Sequence, residues 1–348
     1  MINKDSVGRV PDSSDGVAVS SVQTAGSERI HNHGPNTEKH SARCNQEFLY
    51  SNCRLCPFQC GVNRLKGETG RCGASSGICV TNIQKHEWEE PCLSGQGLEN
   101  PVKGSGTVFF THCSLGCVYC QNSRISSRTT PLGRTVSPEV LASEMLRLQE
   151  SGVHNINLVT PTHFVPGIIT ALVCARQNGL NIPVVYNSGG YESIETLNML
   201  DGLIDIYLPD YKYFSSRLSS LYSHAPDYRE KCEKAIAAMQ KQTGKPVFDE
   251  KGFLKKGTIV RHLVLPGCDY DSVKIISEIF RLFGRDGVIL SLMSQFTPVN
   301  TTPFPELNVK LPAAAYLRVV SAAQKLKFKY VYTQGGDSAA ESFIPDFI

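Results

Sequence analysis

Thr107-Val-Phe-Phe-Thr-His-Cys113-Ser-Leu-Gly-Cys117-Val-Tyr-Cys120-Gln-Asn122 is the stretch around which the rest of the chain is arranged. Its β-branched and aromatic run predicts a buried strand, and that strand leads straight into three cysteines separated by three and then two residues. A short loop of this kind presents three thiolates to one metal centre. A four-iron cluster needs one ligand per iron, so three cysteines leave one iron open, much as catalytic zinc sites keep an open position. A small zinc site completed by His112 is the alternative. It meets a geometric objection, because adjacent residues of a strand project to opposite sides.

Downstream, strands and helices alternate. Ser137-Pro138-Glu139 predicts an N-cap, a first-turn proline and a first-turn acid, with Leu141, Met145 and Leu148 on one face and Gly152 as a stop. Strands are expected at 155–160, 183–187, 203–208, 258–265, 288–293 and 330–332, and helices at 168–178, 192–200, 215–243 (one or two), from Asp271 to Gly284, and near 312–326. Asp249-Glu-Lys-Gly252 reads as the turn of a small hairpin. Six or seven such units predict an α/β chain with a parallel, partial (β/α)6 TIM-like barrel over about residues 104–336. Active sites of these barrels collect at the C-terminal ends of the strands. Here those ends are polar: Thr160-Pro-Thr162-His163, Asn187-Ser188-Gly189-Gly190, Asp210-Tyr211-Lys212, Arg261-His262 and Ser294-Gln295-Phe296.

Upstream, Cys53, Cys56, Cys60 and Cys72 are spaced by two, three and eleven residues and punctuated by Gly61, Gly67 and Gly70. That pattern predicts a closed four-thiolate knuckle holding zinc or a second iron-sulfur cluster. Cys44, Cys79, Cys92 and His86 lie close enough in sequence to replace one of the four. Residues 43–103 are read as a Cys-rich N-terminal extension, and His86-Glu-Trp88-Glu-Glu90 as a solvated bend before Pro91. Residues 1–42 hold too few large apolar side chains to offset the entropy of ordering and are read as a disordered tail, with His31, His33 and His40 as bystanders. Its scattered acids argue against an organellar targeting peptide. Residues 337–348 are read as a C-terminal tail.

The 348 residues include 13 cysteines, an odd number, seven of them in the two close-spaced sets. These are metal spacings of a reducing compartment, so a cytoplasmic location is expected. Cys174, Cys232 and Cys268 stand alone and are expected as inert thiols in the core. With 35 basic and 32 acidic residues the net charge is only +3, and no dense basic run is interleaved with aromatics, so nucleic acid is not an expected partner. No stretch approaches the ~20 apolar residues that span a bilayer, so no membrane partner is expected either.

The Cys113-x3-Cys117-x2-Cys120 spacing, with Tyr119 just before the last cysteine, resembles the signature of the radical S-adenosylmethionine enzymes. Further stretches are similar to the pyruvate formate-lyase-activating-enzyme-like group. They are Cys53-Arg-Leu-Cys56-Pro, His86-Glu-Trp-Glu-Glu-Pro, Gly104-Ser-Gly-Thr-Val-Phe-Phe, Asn157-Leu-Val-Thr-Pro-Thr-His, Leu208-Pro-Asp-Tyr-Lys212 and Arg261-His-Leu-Val-Leu-Pro-Gly267.

The resemblance implies a [4Fe-4S] cluster on Cys113, Cys117 and Cys120, whose open iron chelates the amino and carboxylate groups of S-adenosylmethionine. It implies reductive cleavage to a 5'-deoxyadenosyl radical, an electron donor such as flavodoxin or ferredoxin, and a protein or peptide substrate. For an activating enzyme, that substrate is a glycine of a glycyl-radical partner. A peptide maturase or a small-molecule mutase would use the same cofactor site. A non-catalytic metal-binding adaptor built on the knuckle is the reading of another class, and it would not need the polar strand ends.

By position, Tyr119 corresponds to the aromatic residue near adenine, and Asp210 and Lys212 to an Asp-x-Lys that holds the carboxylate and ribose region. Arg261 corresponds to the arginine of the fifth strand, and Gln295 takes the place of a ribose contact. The Gly-Gly-Glu that usually follows the second strand is absent, and Thr160-Pro-Thr162-His163 stands there instead. Thr160, His163 and, at the third strand end, Asn187 complete the set of cofactor candidates.

Overall fold

The computed structural model describes residues 46–129, 132–299 and 301–334. The readings of residues 1–42, Cys44, and the C-terminal tail at 337–348 lie outside them. Ten strands form one sheet: β1 (Ile78–His86), β2 (Ser105–Phe110), β3 (Arg134–Val136), β4 (Ile156–Val159), β5 (Val184–Ser188), β6 (Ile206–Pro209), β7 (Val247–Phe248), β8 (Leu254–Leu263), β9 (Ile289–Met293) and β10 (Val331–Thr333). Their order is β10-β9-β8-β6-β5-β4-β2-β1-β3, with β7 paired to β8. All pairings from β2 through β10 along this path are parallel, and β10 and β3 remain as edges, so the barrel is partial and open.

Near-continuous apolar runs form these strands because both faces are covered. On the outer face Val108, Phe110, Ile156, Leu158 and Val184 pack against Leu141, Met145, Ile168 and Leu172 of the helices Pro138–Glu150 and Val165–Gln177. Ser137 caps the first of these, accepting from the Val140 amide at 3.3 Å, with Pro138 at its first position. Val260, Leu290 and Leu292 do the same with Ile275, Ile276 and Ile279 of helix Asp269–Phe283 and Val319 of helix Ala313–Leu326. The hairpin is present, closed by the Gly252 amide on the Asp249 carbonyl at 3.0 Å.

Two features depart from the sequence reading. The Cys-rich stretch does not simply precede the barrel, because β1 runs antiparallel along β2 and carries β3 on its other side. The stretch 86–90, expected as a solvated bend before Pro91, exposes Trp88 but buries Glu90, and the residues after it enter the concave face. Cys92 and Leu93 pack there against Val185, Ile206, Leu208, Ile259 and Ile289. A buried acid with a guanidinium partner replaces the hydrated acid that a local reading assumes. Among the described residues no helix is long and apolar enough to cross a membrane.

Candidate active site

The cysteine loop begins where β2 ends. His112 takes a left-handed backbone (φ 67°), donates its amide to the Ile125 carbonyl at 2.7 Å, and turns the chain out of the sheet. Its ring packs edge-on to His163 and Phe164, and its Nδ1 meets Thr111 Oγ1 at 2.7 Å, so His112 is engaged outside the thiol loop. Gly116 (φ 62°) lets the loop fold back, and a Cβ there would sit 2.3 Å from the Arg128 guanidinium. The Cys120 amide closes a turn on the Cys117 carbonyl at 3.1 Å, and the Val118 amide docks the loop on the Tyr222 carbonyl at 2.9 Å.

Cys113, Cys117 and Cys120 are therefore held on one short loop. Burial, with the Cys117 and Cys120 thiols beside it, pushes the Cys113 thiol up to about 12. Neutral thiols have no reason to converge. Among the described residues no group of three or more His, Cys, Asp or Glu is drawn together as a metal cage. Metal binding would release the protons and hold the resulting thiolates together against their mutual repulsion.

Each of two thiols has a hydroxyl against it. Ser223 Oγ donates to Cys117 Sγ at 2.9 Å, and Ser126 Oγ lies 3.4 Å from Cys120 Sγ. From Ser223 a chain of hydroxyls continues through Tyr213 (2.6 Å) to Tyr119 (2.7 Å). The Tyr119 ring is buried among Tyr213, Tyr222 and Phe296. Tyr213, Tyr222 and Ser223 were not singled out from sequence. They lie in a segment read only as loop and helix.

Across the mouth, β6 delivers Asp210 and Lys212. The ammonium donates to Asp210 Oδ2 at 2.6 Å. Burial works against its charge, but Asp210, Tyr119 and Cys117 together hold the Lys212 pKa well above its ordinary value. Gly189 is where the two sides meet: a Cβ there would lie 2.8 Å from Leu115 Cδ1 and 3.6 Å from Lys212 Cε. Gly190 (φ 76°) approaches the Asp210 carbonyl so closely that a Cβ would lie 2.1 Å from its oxygen. A three-thiol loop, a buried cation and an aromatic wall thus share one end of the sheet, and they fit an anionic, aromatic-bearing cofactor on a thiolate-held centre.

The other candidates are placed as follows. Thr160 ends β4 in a left-handed conformation (φ 58°), with its amide on the Asn187 carbonyl at 2.8 Å. Asn187 is buried on β5. His163 is turned inward, bonded through Nε2 to the Thr111 carbonyl at 2.7 Å, and burial lowers it to about 3, so it is a neutral packing residue. The Gln295 carbonyl accepts from Gln121 at 2.8 Å, and its side chain pairs with Gln334 at 3.0 Å, beside the cysteine loop. Arg261 is held on the concave face, its Nε and Nη2 donating to both oxygens of Glu90 (2.7 and 2.6 Å) and Nη2 also to Glu89.

Glu192 is a further buried acid that sequence reading missed. It accepts from Thr162 Oγ1 at 2.8 Å and Tyr186 OH at 3.1 Å. Burial raises its carboxyl to about 7 from an ordinary 4.5, more than these hydroxyls lower it. The native state therefore keeps a proton that the unfolded chain has released, so this contribution is whole below pH 4.5 and is lost as the pH rises through about 7. Glu192→Gln, uncharged throughout, is expected to flatten the pH dependence of the urea midpoint across that window. An unchanged slope would mean that Glu192 ionises normally.

The knuckle packs beside the loop. The Cys53 amide bonds to the Val62 carbonyl and the Gly61 amide to the Cys53 carbonyl, and the Arg71 amide donates to Cys60 Sγ at 3.2 Å. Of the alternative ligands, Cys92 belongs to the barrel interior and His86 sits edge-on to Phe109, whereas Cys79 lies in β1. Cys232 and Cys268 are buried thiols, as expected, and Cys174 is half-buried.

Residues 107–272 match the family model described as the Radical SAM superfamily. The chain is 27% identical over 293 residues to an uncharacterized protein of Methanocaldococcus jannaschii, covering 82% of this chain and 78% of that one. Two crystal structures of Streptococcus suis SuiB are also similar, each 12% identical. The one bound to S-adenosylmethionine has a TM-score of 0.47 and covers 66% of this chain and 49% of SuiB. The one bound to the precursor peptide SuiA has a TM-score of 0.48 and covers 68% and 50%. The chain thus spans about half the length of SuiB.

Proposed function

We propose, from the match of residues 107–272 to the Radical SAM superfamily model, that this chain cleaves S-adenosylmethionine reductively and abstracts hydrogen from a glycine of a partner protein. The observation that carries the reading is the meeting of the Cys113, Cys117 and Cys120 loop with Lys212 and Asp210 across Gly189. Cys113, Cys117 and Cys120 would hold a four-iron cluster there, which would supply the one electron needed to cleave the sulfonium carbon-sulfur bond to methionine and a 5'-deoxyadenosyl radical. The electron comes from a reduced donor such as flavodoxin or ferredoxin.

The chain's own part is binding, orientation and exclusion of water. Lys212 offers a compact cation to a carboxylate, and Asp210 accepts from hydroxyls or an ammonium. Tyr119, Phe296 and Leu115 form an apolar wall that suits a purine and keeps solvent from a radical. Thr160 and Asn187, at the neighbouring ends of β4 and β5, and Gln295, beyond the end of β9, stand as further contacts. Among the described residues β10 is an edge of the sheet, a place where a polypeptide substrate could enter, as an activating enzyme requires.

Protein reconstituted with iron and sulfide, reduced with dithionite and given S-adenosylmethionine, is expected to form 5'-deoxyadenosine. None with a reduced cluster present would defeat the enzyme reading and favour an adaptor. A glycyl electron paramagnetic resonance signal on adding candidate glycyl-radical proteins is the outcome expected of an activase. Deoxyadenosine without that signal points instead to a maturase or mutase.

A further inference from the structure

Arg64 is a large charged side chain with almost no access to water, at 2% exposure. Its Nη1 lies 3.8 Å from Cys53 Sγ and 2.7 Å from the His163 carbonyl, Nε donates to the Ser75 carbonyl at 3.1 Å, and the guanidinium stacks 4.6 Å over Tyr50. Among the described residues no carboxylate is within ion-pair distance of it. Arg71 is only half-buried, and it too has no described acid within ion-pair distance. Its Nε and Nη2 reach the Ser114 and Leu115 carbonyls of the barrel loop at 3.3 and 3.4 Å, and it lies 4.6 Å over Phe58. Arg128 donates to the same Leu115 carbonyl at 3.3 Å, again with no described acid paired to it.

Carbonyl dipoles and aromatic faces moderate such a charge, but a buried guanidinium is ordinarily matched by an anion. Arg261, the other deeply placed arginine of the fold, follows that rule with two carboxylates. Among the described residues Cys53 Sγ lies 3.8 Å from Arg64 and Cys72 interacts with it electrostatically, so the knuckle can supply the anion once its thiols are ionised. As thiols, Cys53, Cys56, Cys60 and Cys72 carry no charge. As metal-bound thiolates they carry an excess of negative charge over one divalent ion or one four-iron core. The chain folds back at Cys60, which is exposed: a Cβ at Gly70 would lie 2.9 Å from Cys60 Sγ, and Gly61 and Gly67 take left-handed turns that lead the chain around. Cys72 is buried, and Cys56 is half-buried.

We propose that Cys53, Cys56, Cys60 and Cys72 form a closed four-thiolate metal centre, zinc or a second iron-sulfur cluster, whose negative charge is balanced by Arg64 and Arg71. Arg71 joins this centre to the barrel, because its backbone meets Cys60 while its guanidinium holds the loop between Cys113 and Cys117. The centre does not depend on the barrel cluster or on the reaction proposed above.

The test uses the full chain with Cys113, Cys117 and Cys120 all changed to Ala, purified anaerobically and analysed for zinc, iron and sulfide. About one zinc per chain without sulfide, or about four irons with matching sulfide, is expected, and the sulfide distinguishes the two metals. A folded variant holding neither would overturn the site. Should that variant not fold, the wild-type metal content is compared with that of Cys56→Ala. Loss of one zinc or of four irons is expected, and equal contents would overturn the site. Timed release to a chelator then tests the counter-charge. Arg64→Met is expected to speed release at least about tenfold and Arg64→Lys to restore much of the retention. Release equally fast from wild type and Arg64→Met would remove Arg64 from its balancing role.

Discussion

Replacing Arg261 by Met is expected to destabilise the fold by about 3–5 kcal/mol, because it strands buried carboxylates without a counter-charge. Arg261 lies on β8, and its guanidinium takes both oxygens of Glu90 at 2.7 and 2.6 Å and one of Glu89. Asn157 Nδ2 donates to the remaining Glu89 oxygen at 2.7 Å. Burial by itself would raise the Glu90 carboxyl, but Arg261 outweighs it and holds that carboxyl below its ordinary 4.5. In the wild type the stabilisation is therefore present above pH 4.5 and is lost as the pH falls through the lower native value.

In Arg261→Met burial is opposed only by the Glu90 backbone and Ser291 hydrogen bonds, so the shift is expected to change sign, and the deficit against wild type should be largest near neutral pH and smaller toward pH 4. Urea unfolding at several pH values measures it. An unchanged midpoint together with weakened S-adenosylmethionine binding would instead place the guanidinium at the cofactor.

That ion pair also shows what the sequence could not reveal. The seven parallel strands were legible because each is a short run rich in apolar, largely β-branched and aromatic residues between turn signals, and burial on both faces keeps polar residues such as Asn157 and Ser291 few. The cysteine loop was legible because its ligands are local. β1 was not, since Ile78-Cys-Val-Thr-Asn-Ile-Gln-Lys-His86 is half-exposed along its length and mixes polar with apolar residues. β3, three residues with two exposed, offers even less pattern.

Glu89 and Glu90 looked solvated because no Lys or Arg lies within three residues of either. Their partner is 171 residues further on. Ser223 and Tyr213 were invisible for the same reason, because the thiol and the tyrosine they bond are brought to them by the tertiary fold. The local clue that existed was the pair of acids set directly before Pro91 and an apolar run, which is an odd place for charge unless something pairs with it.

Cys117→Ala is expected to abolish 5'-deoxyadenosine formation, since the loop then offers two thiols where the cluster needs three. Enzymes typically accelerate their reactions at least ~10⁶-fold, so what remains should be below detection. Iron and sulfide should fall with it. Cys174→Ala, a half-buried thiol on the outer helix Val165–Gln177, should keep both metal and activity.

The neighbouring hydroxyl gives a graded companion to this loss. Ser223 Oγ donates to Cys117 Sγ at 2.9 Å, and a hydrogen bond to a cluster sulfur favours the reduced, more negative state. A net ~1 kcal/mol for that bond corresponds to about 40 mV for one electron, so Ser223→Ala should keep the cluster and lower its potential by that order. A redox titration followed by electron paramagnetic resonance reads the shift directly. Full iron, sulfide and cleavage in Cys117→Ala would remove Cys117 from the cluster, and an unmoved potential in Ser223→Ala would show that the hydroxyl only packs there.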